Sequence, residues 1–494
     1  MMEIRKKLLN LIPILYLIIF VLVFLVIGFI SHDDLKINNI FLLIISLGIF
    51  YGLYKCNLEI KHRTAIIICL IIAIVQVFVF YNIYFYTGWD SGEVLLPAAR
   101  SLAQGKDIEM YSYYFNWADN NLYLLQIYRI IFLIANKLNL LYTNLDIFMI
   151  ILLNILINIL SIYLIYKTTY NLTHNLKIAS FSFIVAIVLL GLSPWTTICY
   201  SDSFTLFCPI LCIFLYSTNI NKYLKLALII FLSVMMSYVK PQNLIILIAI
   251  FIVEILNGDH KFKTISFSLI FLIIVFMMGN TLKQEMISRT SFTYDTEKSA
   301  TIHHYLMMGL NKDSEGAFSE DDTNFSMSIP YKNQRIESNK EVIIGRIKDM
   351  GFGGLLNLAK EKSINNFNDG TFGWSKEGNF YLETFDEPMG SVSSFLRSFY
   401  YENGNLNILF KYLMQTIWIG CLFFQIFQIK VKNDNKMMVL LLSIIGITAF
   451  ETIFECRARY IYIYVPLFIV VLSISYYRLI DYLKNYMANV HKTN

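Results

Sequence analysis

Apolar runs about as long as a bilayer is thick recur along this chain of 494 residues, and they constrain its fold more than any other feature. A stretch of roughly 18 or more apolar residues can cross the hydrocarbon core as one helix. Only 15% of the residues are charged, whereas a soluble domain carries about 25%. These values exclude an ordinary soluble enzyme and predict an all-α polytopic membrane protein.

About twelve transmembrane spans can be placed on the sequence, some shorter than 20 residues where a loop is tight. They cover residues 8–30, 40–54, 65–86, 145–166, 176–195, 203–217, 224–239, 242–257, 264–283, 405–428, 437–456 and 460–477. The first run follows Arg5-Lys6-Lys7 as in a signal peptide, but no A-x-A cleavage site follows it. We therefore expect it to remain as the first span.

Short basic loops between the spans indicate their orientation, because cytoplasmic loops are enriched in Lys and Arg. The basic residues that fall on the side of the N-terminus are Lys55, Lys61, Arg63, Lys167, Lys177, Lys222, Lys225, Lys261, Lys263, Lys430, Lys432, Lys436, Arg478 and Lys484. This pattern predicts that both termini are cytoplasmic. It also places two large segments, 87–143 and 284–404, on the extracellular face.

The apolar run 121–138 is long enough to be a further transmembrane span, which would change the count of twelve. It carries Gln126 and Arg129 near its middle, and a crossing there would put every later basic loop outside. We therefore predict an interfacial helix on the outer face. A second helix is predicted from about 338 to 365, interrupted at the glycines 351, 353 and 354.

The cytoplasmic loops are too short to hold a nucleotide-binding α/β domain, which needs roughly 100 residues or more. Any chemistry must then take place at the outer face. The seven cysteines form no CxxC pair and most lie in apolar runs, so we interpret them as small hydrophobic residues. The net charge of +5 is spread over short clusters, which argues against a nucleic-acid partner.

An acidic motif, Gly88-Trp89-Asp90-Ser91-Gly92-Glu93, lies directly outside the third predicted span. Asp90 and Glu93 face one way if the turn is helical. Local sequence alone favours a simpler interpretation, in which Asp90 caps a helix that begins at Ser91.

A second charged motif lies at the outer turn between the last two predicted spans. Arg457 and Arg459 stand where a lipid phosphate would lie, and the guanidinium fork matches phosphate oxygens. In a helix, Arg457 and Tyr460 would share a face, while Glu451, Glu455 and Arg459 would form a second stripe. The alternative is plain snorkelling with an intrahelical Glu455–Arg459 bridge.

Two further candidates stand at the outer ends of spans. Lys240, at the tip of a tight hairpin, is either a second phosphate contact or an interface anchor. Asp202 either binds sugar or acceptor or caps a helix.

Two other polar motifs belong to the long outer segment. The pair His303-His304 is not expected to bind a metal, because adjacent side chains point apart and no DxD or HxH motif completes a site. Phe372 and Trp374 form either a sugar-stacking edge or an anchor of the loop on the bilayer.

The order and sidedness of five short motifs resemble the GT-C superfamily of integral membrane glycosyltransferases. The motifs are Gly88 to Glu93, Asp119 to Leu122 with Tyr128-Arg129, Tyr200 to Asp202, Asn368 to Trp374, and Glu455 to Tyr460. The chain is most similar to the protein O-mannosyltransferase and aminoarabinose transferase group (family 39-like) and to uncharacterised Gram-positive membrane proteins, from about residue 65 onward. It departs from them by two extra N-terminal spans, and by Ser91 where the mannosyltransferases carry a second acid.

The resemblance implies a GT-C-type fold and inverting transfer of a sugar from a polyprenyl-phosphate donor to an acceptor hydroxyl. It implies that Asp90 is the catalytic general base. It also makes Glu93 a candidate to orient donor or acceptor. Together with the residues proposed above from their charge and position, the predicted substrate-binding residues are Glu93, Asp202, Lys240, Arg457, Arg459 and Tyr460. No cofactor beyond the lipid-linked sugar is implied, and a divalent metal stays open. The expected partners are membrane lipids, the lipid-linked sugar and an extracellular glycan, teichoic acid or surface protein.

The corresponding domain plan has four parts. Residues 1–64 form two extra spans, 65–283 a GT-C-like core with the outer catalytic loop 87–143, 284–404 a long extracellular segment, and 405–494 the last spans and a cytoplasmic tail. Three alternatives remain open: a glycan polymerase or ligase with a lipid-diphosphate donor, a transporter or flippase, and a non-catalytic envelope assembly protein.

Overall fold

The structure is a computed structural model, and it describes residues 2–32, 34–257, 262–290, 292–381, 389–427 and 434–493. Within these ranges the chain is about 80% helical and has no β-strand; one isolated bridge joins Ser31 and Asn38. The all-α class predicted from the sequence is confirmed.

The helices follow one another with short connections. In the first half they are α1 (Met2–Ile27), α2 (Asn39–Lys55), α3 (His62–Ile83), α4 (Leu96–Ala103), α5 (Ser112–Trp117), α6 (Asn121–Lys137), α7 (Leu145–Thr173), α8 (Leu176–Ala186), α9 (Ser201–Thr205), α10 (Phe207–Ser217), α11 (Lys222–Ser237) and α12 (Leu244–Asn257). In the second half they are α13 (Phe262–Ser288), α14 (Ile302–Gly309), α15 (Glu320–Ser328), α16 (Lys332–Phe367), α17 (Trp374–Tyr381), α18 (Ser391–Tyr400), α19 (Asn407–Gln425), α20 (Asn435–Ile453), α21 (Ala458–Ile461) and α22 (Val465–Thr493).

Seven helical runs of the described chain are long and apolar enough to cross a membrane. They contain α1, α3, α7, α13, α19, α20 and α22. The other predicted spans coincide with the shorter helices α2, α8, α9–α10, α11 and α12. Twelve crossings therefore stay a prediction, while the membrane class is supported.

The predicted interfacial helix is present as α6, which packs against α4, α7 and α13. Its mid-helix polar groups are used inside the protein, because Arg129 donates a hydrogen bond to Gln126 at 3.2 Å and Gln126 donates one to the Met286 carbonyl at 3.4 Å. These contacts explain how the helix tolerates both residues. Its position relative to the bilayer stays a prediction.

Basic loops meet at one end of the helix bundle. Lys177 lies 3.7 Å from Glu59, the Tyr477 hydroxyl donates to the Lys177 carbonyl, and Lys436 donates to the Ser217 carbonyl at 3.1 Å. The acidic motif and the arginine motif lie at the opposite end. Three of the predicted basic-loop residues, Lys261, Lys430 and Lys432, lie outside the described residues. Which end faces the cytoplasm stays a prediction.

Helix α16 bends at Gly351, whose φ of +55° is a left-handed conformation that glycine adopts without strain. The predicted interruption of this helix is thus confirmed at Gly351, while Gly353 and Gly354 continue the helix. Helix α16 packs against α1 and α20, and at its C-terminal end the Phe367 ring lies 6.3 Å from the Phe20 ring of α1. The long outer segment is in this way fastened to two apolar helices of the bundle.

The motif that follows α16 lies in the core of the protein. Phe372 and Trp374 are 0% and 1% exposed. The Trp195 indole donates to the Thr371 carbonyl at 3.0 Å, and a Cβ at position 370 would lie 2.5 Å from the Met414 carbonyl, so this turn needs glycine. Both sequence-based alternatives for Phe372 and Trp374, a sugar-stacking edge and a bilayer anchor, are wrong.

Asp369 organises this buried turn. Its carboxylate accepts hydrogen bonds from the backbone N–H groups of Thr371 (2.7 Å) and Gly373 (2.9 Å) and from the Ser375 hydroxyl (2.8 Å). Burial alone would raise the pKa of Asp369, but hydrogen bonds from His32, Thr371 and Ser375 outweigh it and lower this pKa to about 2. Asp369 is therefore a structural carboxylate.

The predicted orientation can be tested by cysteine accessibility. Cys56 is the exposed one of the seven cysteines, so Cys56→Ser removes the native thiol that the reagent would otherwise label. In intact cells, we expect a membrane-impermeant maleimide to label Lys312→Cys in the long outer segment and to leave Lys61→Cys unlabelled until the membrane is opened. Both side chains are exposed. Labelling of Lys61→Cys from outside would contradict the orientation.

Candidate active site

The loop that carries Asp90 has an unusual backbone. Trp89 has a φ of +71°, and residues Asp90–Leu95 form a π-helical turn, a geometry frequent at functional sites. A Cβ at Gly92 would lie 1.3 Å from the Thr87 carbonyl oxygen, so only glycine permits this close approach. The Ser91 hydroxyl fastens the turn to the Cys199 carbonyl at 2.7 Å.

The side chain of Asp90 does not cap the turn. It accepts a hydrogen bond from the Tyr114 hydroxyl at 3.0 Å, and no side-chain cap is made at this terminus. Asn121 donates to both the Tyr114 hydroxyl (2.6 Å) and the Tyr200 hydroxyl (3.2 Å). Because an ionised carboxylate can only accept, the Tyr114 hydroxyl is the donor of its bond to Asp90. The helix-cap interpretation of Asp90 is wrong.

One carboxylate oxygen of Asp90 remains available. Among the described residues, Tyr114 makes the only hydrogen bond to this side chain, through Oδ2. Burial raises the pKa of Asp90, while the Tyr114 hydrogen bond and the nearby Arg459 and Arg457 oppose that increase. The pKa stays above the ordinary aspartate value, so Oδ1 accepts a proton more readily than a solvated carboxylate does.

Arg459 joins three parts of the site. Its guanidinium stacks over the Trp89 ring with Cζ at 4.4 Å from the ring centroid. Nη1 lies 3.8 Å from Asp202, and Nε lies 3.6 Å from Glu377 of α17. The stack holds a cation next to the loop of Asp90.

Lys240 and Asp202 form a buried ion pair. The Lys240 ammonium contacts Asp202 Oδ1, and the two residues are 5% and 1% exposed. Lys240 also lies 4.7 Å from the centroid of the Tyr460 ring. Since Asp202 makes no helix cap and Lys240 is buried, the helix-cap and interface-anchor alternatives are both wrong.

Arg457 lies between two glutamates. Nε donates to Glu455 Oε1 and Nη1 to Glu377 Oε2, both at 3.2 Å. The Tyr460 hydroxyl donates to the same Glu455 oxygen at 3.1 Å. Among the described residues, these bonds use two of the five N–H donors of Arg457, which leaves donors for a further anion.

The chain is not helical between α20 and α21. Helix α20 ends at Ile453 and α21 begins at Ala458, so a continuous helical face through this motif is wrong. The Glu455–Arg459 bridge of the snorkelling alternative is not formed; Glu455 instead contacts Arg457. We call residues 454–457 the elbow.

Backbone groups of the elbow are bonded to the long outer segment. The N–H of Glu455 donates to the Tyr305 carbonyl at 3.1 Å and the N–H of Cys456 to the Gly316 carbonyl at 2.9 Å. The Lys362 ammonium donates to the Phe454 carbonyl at 2.6 Å and to the Gly309 carbonyl at 2.9 Å. The outer segment thus fixes the position of Arg457.

The structure brings most of the predicted site residues together. These are Asp90, Asp202, Lys240, Arg457, Arg459 and Tyr460. Glu93 is exposed and makes no hydrogen bond or ion pair to them within the described ranges, although its charge acts on Asp90. In the same ranges, no group of three or more His, Cys, Asp or Glu residues is placed to hold a metal ion.

Several residues of the site were not found by sequence reasoning. Glu377 follows the buried Trp374 turn and gave no motif signal. Glu451 was predicted only to share a helical stripe with Glu455 and Arg459; it is fully buried. Tyr114 lies in a stretch without charges and Lys362 in the charged run Lys360-Glu361-Lys362; neither belongs to a predicted motif, and only the fold brings them to the site.

The buried ion pair gives a direct stability prediction. Lys240→Met leaves Asp202 with Arg459, 3.8 Å away, as its one remaining cation within the described ranges, so we expect the free energy of unfolding to fall by about 3 kcal/mol. The double variant Lys240→Met/Asp202→Asn should recover most of this loss. Unfolding in mild detergent measures both.

The control is Lys298→Met, which removes an exposed ammonium 3.8 Å from Asp295. We expect a change below about 1 kcal/mol for this exposed pair. Equal losses in the single and double variants would show that Lys240 and Asp202 are not coupled.

A model of one protein family matches residues 35–479 of the chain, and its description is conserved hypothetical integral membrane protein. Neither the curated proteins nor the solved structures compared with the chain include a match.

Proposed function

This chain belongs to the family of conserved hypothetical integral membrane proteins, and we propose that it is a membrane glycosyltransferase of GT-C type. It transfers a sugar from a polyprenyl-phosphate donor to a hydroxyl of a cell-envelope acceptor. In this proposal the chain crosses the membrane twelve times with both termini in the cytoplasm, and the site faces the cell exterior.

One observation carries the proposal: a base and a set of cations lie in the same partly buried site. Asp90 keeps one carboxylate oxygen available, and Arg459 and Arg457 act on it electrostatically. Glycosyl transfer from a lipid phosphate needs both parts, a base for the acceptor and positive charge for the leaving group. The resemblance to GT-C enzymes supports the same assignment.

The proposed step begins at the acceptor. An acceptor hydroxyl is a poor nucleophile at neutral pH, and Asp90 Oδ1 takes its proton as the oxygen attacks the anomeric carbon. The bond between this oxygen and the sugar forms on the face opposite the departing phosphate, which inverts the configuration. Tyr114 holds the carboxylate in place through Oδ2.

The leaving group takes the electron pair of the sugar–oxygen bond. A phosphodiester then becomes a phosphomonoester with more negative charge, and fixed cations stabilise that charge. Arg457 contributes the N–H donors that Glu455 and Glu377 do not use, while Lys240 and Arg459 lie in the same cluster. A lipid-diphosphate donor would need the same charges, so the donor class is decided by experiment.

The base assignment is tested by Asp90→Asn. Asparagine can still accept the Tyr114 hydrogen bond but cannot take a proton, so we expect kcat to fall by roughly 100-fold or more with little change in donor KM. The measurement is transfer of radiolabelled sugar from a polyprenyl-phosphate donor by the purified protein. The parent should lose activity as the pH falls through the raised pKa of Asp90, because the base must be ionised.

The matched control is Asp107→Asn in the same outer loop. Asp107 is exposed, and its contact with the Glu109 backbone N–H survives as an amide. If Asp90→Asn is folded and as active as the parent, Asp90 is not the base. Translocation of the lipid-linked sugar without transfer would instead identify a flippase. If the protein shows neither transfer nor translocation, a non-catalytic assembly protein is the remaining alternative.

The leaving-group assignment is tested by Arg457→Lys. Lysine keeps the charge but loses the planar fork that holds a phosphate and two carboxylates together. We expect donor KM to rise about 10-fold, with the acceptor KM unchanged. Arg289→Lys serves as control, because Arg289 is exposed and pairs with Glu285 one helical turn away. An unchanged donor KM for Arg457→Lys would remove Arg457 from the donor site.

A further inference from the structure

Two aromatic side chains stand over the site, and no step of the proposed reaction uses them. Tyr305 is 37% exposed and Phe318 is 48% exposed. The backbone bonds from Glu455 to Tyr305 and from Cys456 to Gly316 fix the segments that carry them. Their positions are therefore set by the elbow and not by a free loop.

Tyr305 lies beside the elbow, because its carbonyl accepts from the Glu455 N–H, and its side chain stays partly accessible. Burial of the hydroxyl, together with the charges of Glu455 and Asp90, raises the pKa of this phenol. Among the described residues, this hydroxyl makes no hydrogen bond. A phenol in such a place has a proton to donate to a ligand oxygen.

Phe318 lies over the arginine end of the same site. Its ring centroid is 5.4 Å from Arg457 Cζ, a distance at which a guanidinium is attracted to the ring. Arg457 in turn holds Glu455 and Glu377. The accessible surface here is thus one aromatic ring with carboxylates and a guanidinium beside it.

We propose that Tyr305 and Phe318 form the aromatic edge of a pyranose-binding subsite, with Glu455 as a hydroxyl acceptor. The inference rests on the proposed function where it assigns this sugar to the acceptor side, so that the acceptor is a glycan. A pyranose has polarised C–H groups that pack on an aromatic face and a rim of hydroxyls that bond to carboxylates and phenols. This arrangement offers both kinds of partner.

An isoprenoid chain fits this surface less well. Lipid carbon packed here would remove the partly exposed side chains of Arg457 and Glu377 from water without new hydrogen bonds, which costs free energy. A sugar ring replaces the lost water bonds with its own hydroxyls. The chemistry of the edge therefore favours carbohydrate over lipid.

The test measures binding without any donor, in the purified full-length protein. The probes are methyl glycosides of glucose, galactose, mannose and their N-acetylamino forms, and the readout is saturation transfer to each sugar by NMR. We expect at least one pyranoside to bind the parent. Tyr305→Phe should weaken it about 3- to 10-fold through the lost hydrogen bond, and Phe318→Leu about 10-fold.

The control is Tyr331→Phe, the same chemical change on an exposed tyrosine outside the site, which should leave binding unchanged. The inference is overturned if no pyranoside binds, or if binding survives both Tyr305→Phe and Phe318→Leu. It is also overturned if those substitutions weaken binding of polyprenyl phosphate instead. Sugar binding that depends on both residues, without any glycosyl transfer, would sustain the subsite and reject the proposed reaction.

Discussion

The elbow at residues 454–457 is the constraint on which the candidate site depends. A helix that stops inside an apolar bundle leaves backbone groups that must find partners, because little water is available. Here carbonyls of the outer segment accept from Glu455 and Cys456, and the Lys362 ammonium donates to the Phe454 carbonyl. The outer segment therefore supplies hydrogen-bond partners for the backbone groups at the end of α20. The change of chain direction at the elbow brings Arg457 and Arg459 to the side of Asp90.

The buried charges of the site also need partners within the protein. Burying an ion is costly unless a partner compensates it, and breaking a buried pair costs more than exposing a surface one. Asp202 is compensated by Lys240 and Arg459, while Arg457 is compensated by Glu455 and Glu377. This compensation keeps the cations fixed before any substrate arrives. A phosphate then meets charges that need no reorganisation, which is the condition for electrostatic stabilisation of a leaving group.

The sequence was informative where one physical requirement acts locally, and uninformative where distant segments meet. The lengths of the apolar runs predicted the long helices, and the glycines at 351, 353 and 354 predicted the bend that occurs at Gly351. Side-chain roles needed the fold: the burial of Phe372 and Trp374 depends on packing against Trp195 and Trp418, far along the chain. Likewise, hydropathy predicts a continuous helix over 451–460. It carries no information on the distant carbonyls of Tyr305 and Gly316, which accept hydrogen bonds from the non-helical backbone there.

The contact between Trp89 and Arg459 connects the two halves of the site. Asp90 stands on a strained turn that follows α3, whereas the arginines stand beyond α20, and no single element holds both. Stacking of the guanidinium on the Trp89 ring holds the cation close to the loop of the base, where its charge only partly offsets the raised pKa of Asp90. An ion pair between Asp90 and Arg459 would achieve the same closeness but would lower the basicity of the carboxylate. An aromatic spacer is thus the arrangement that keeps a carboxylate basic beside a cation.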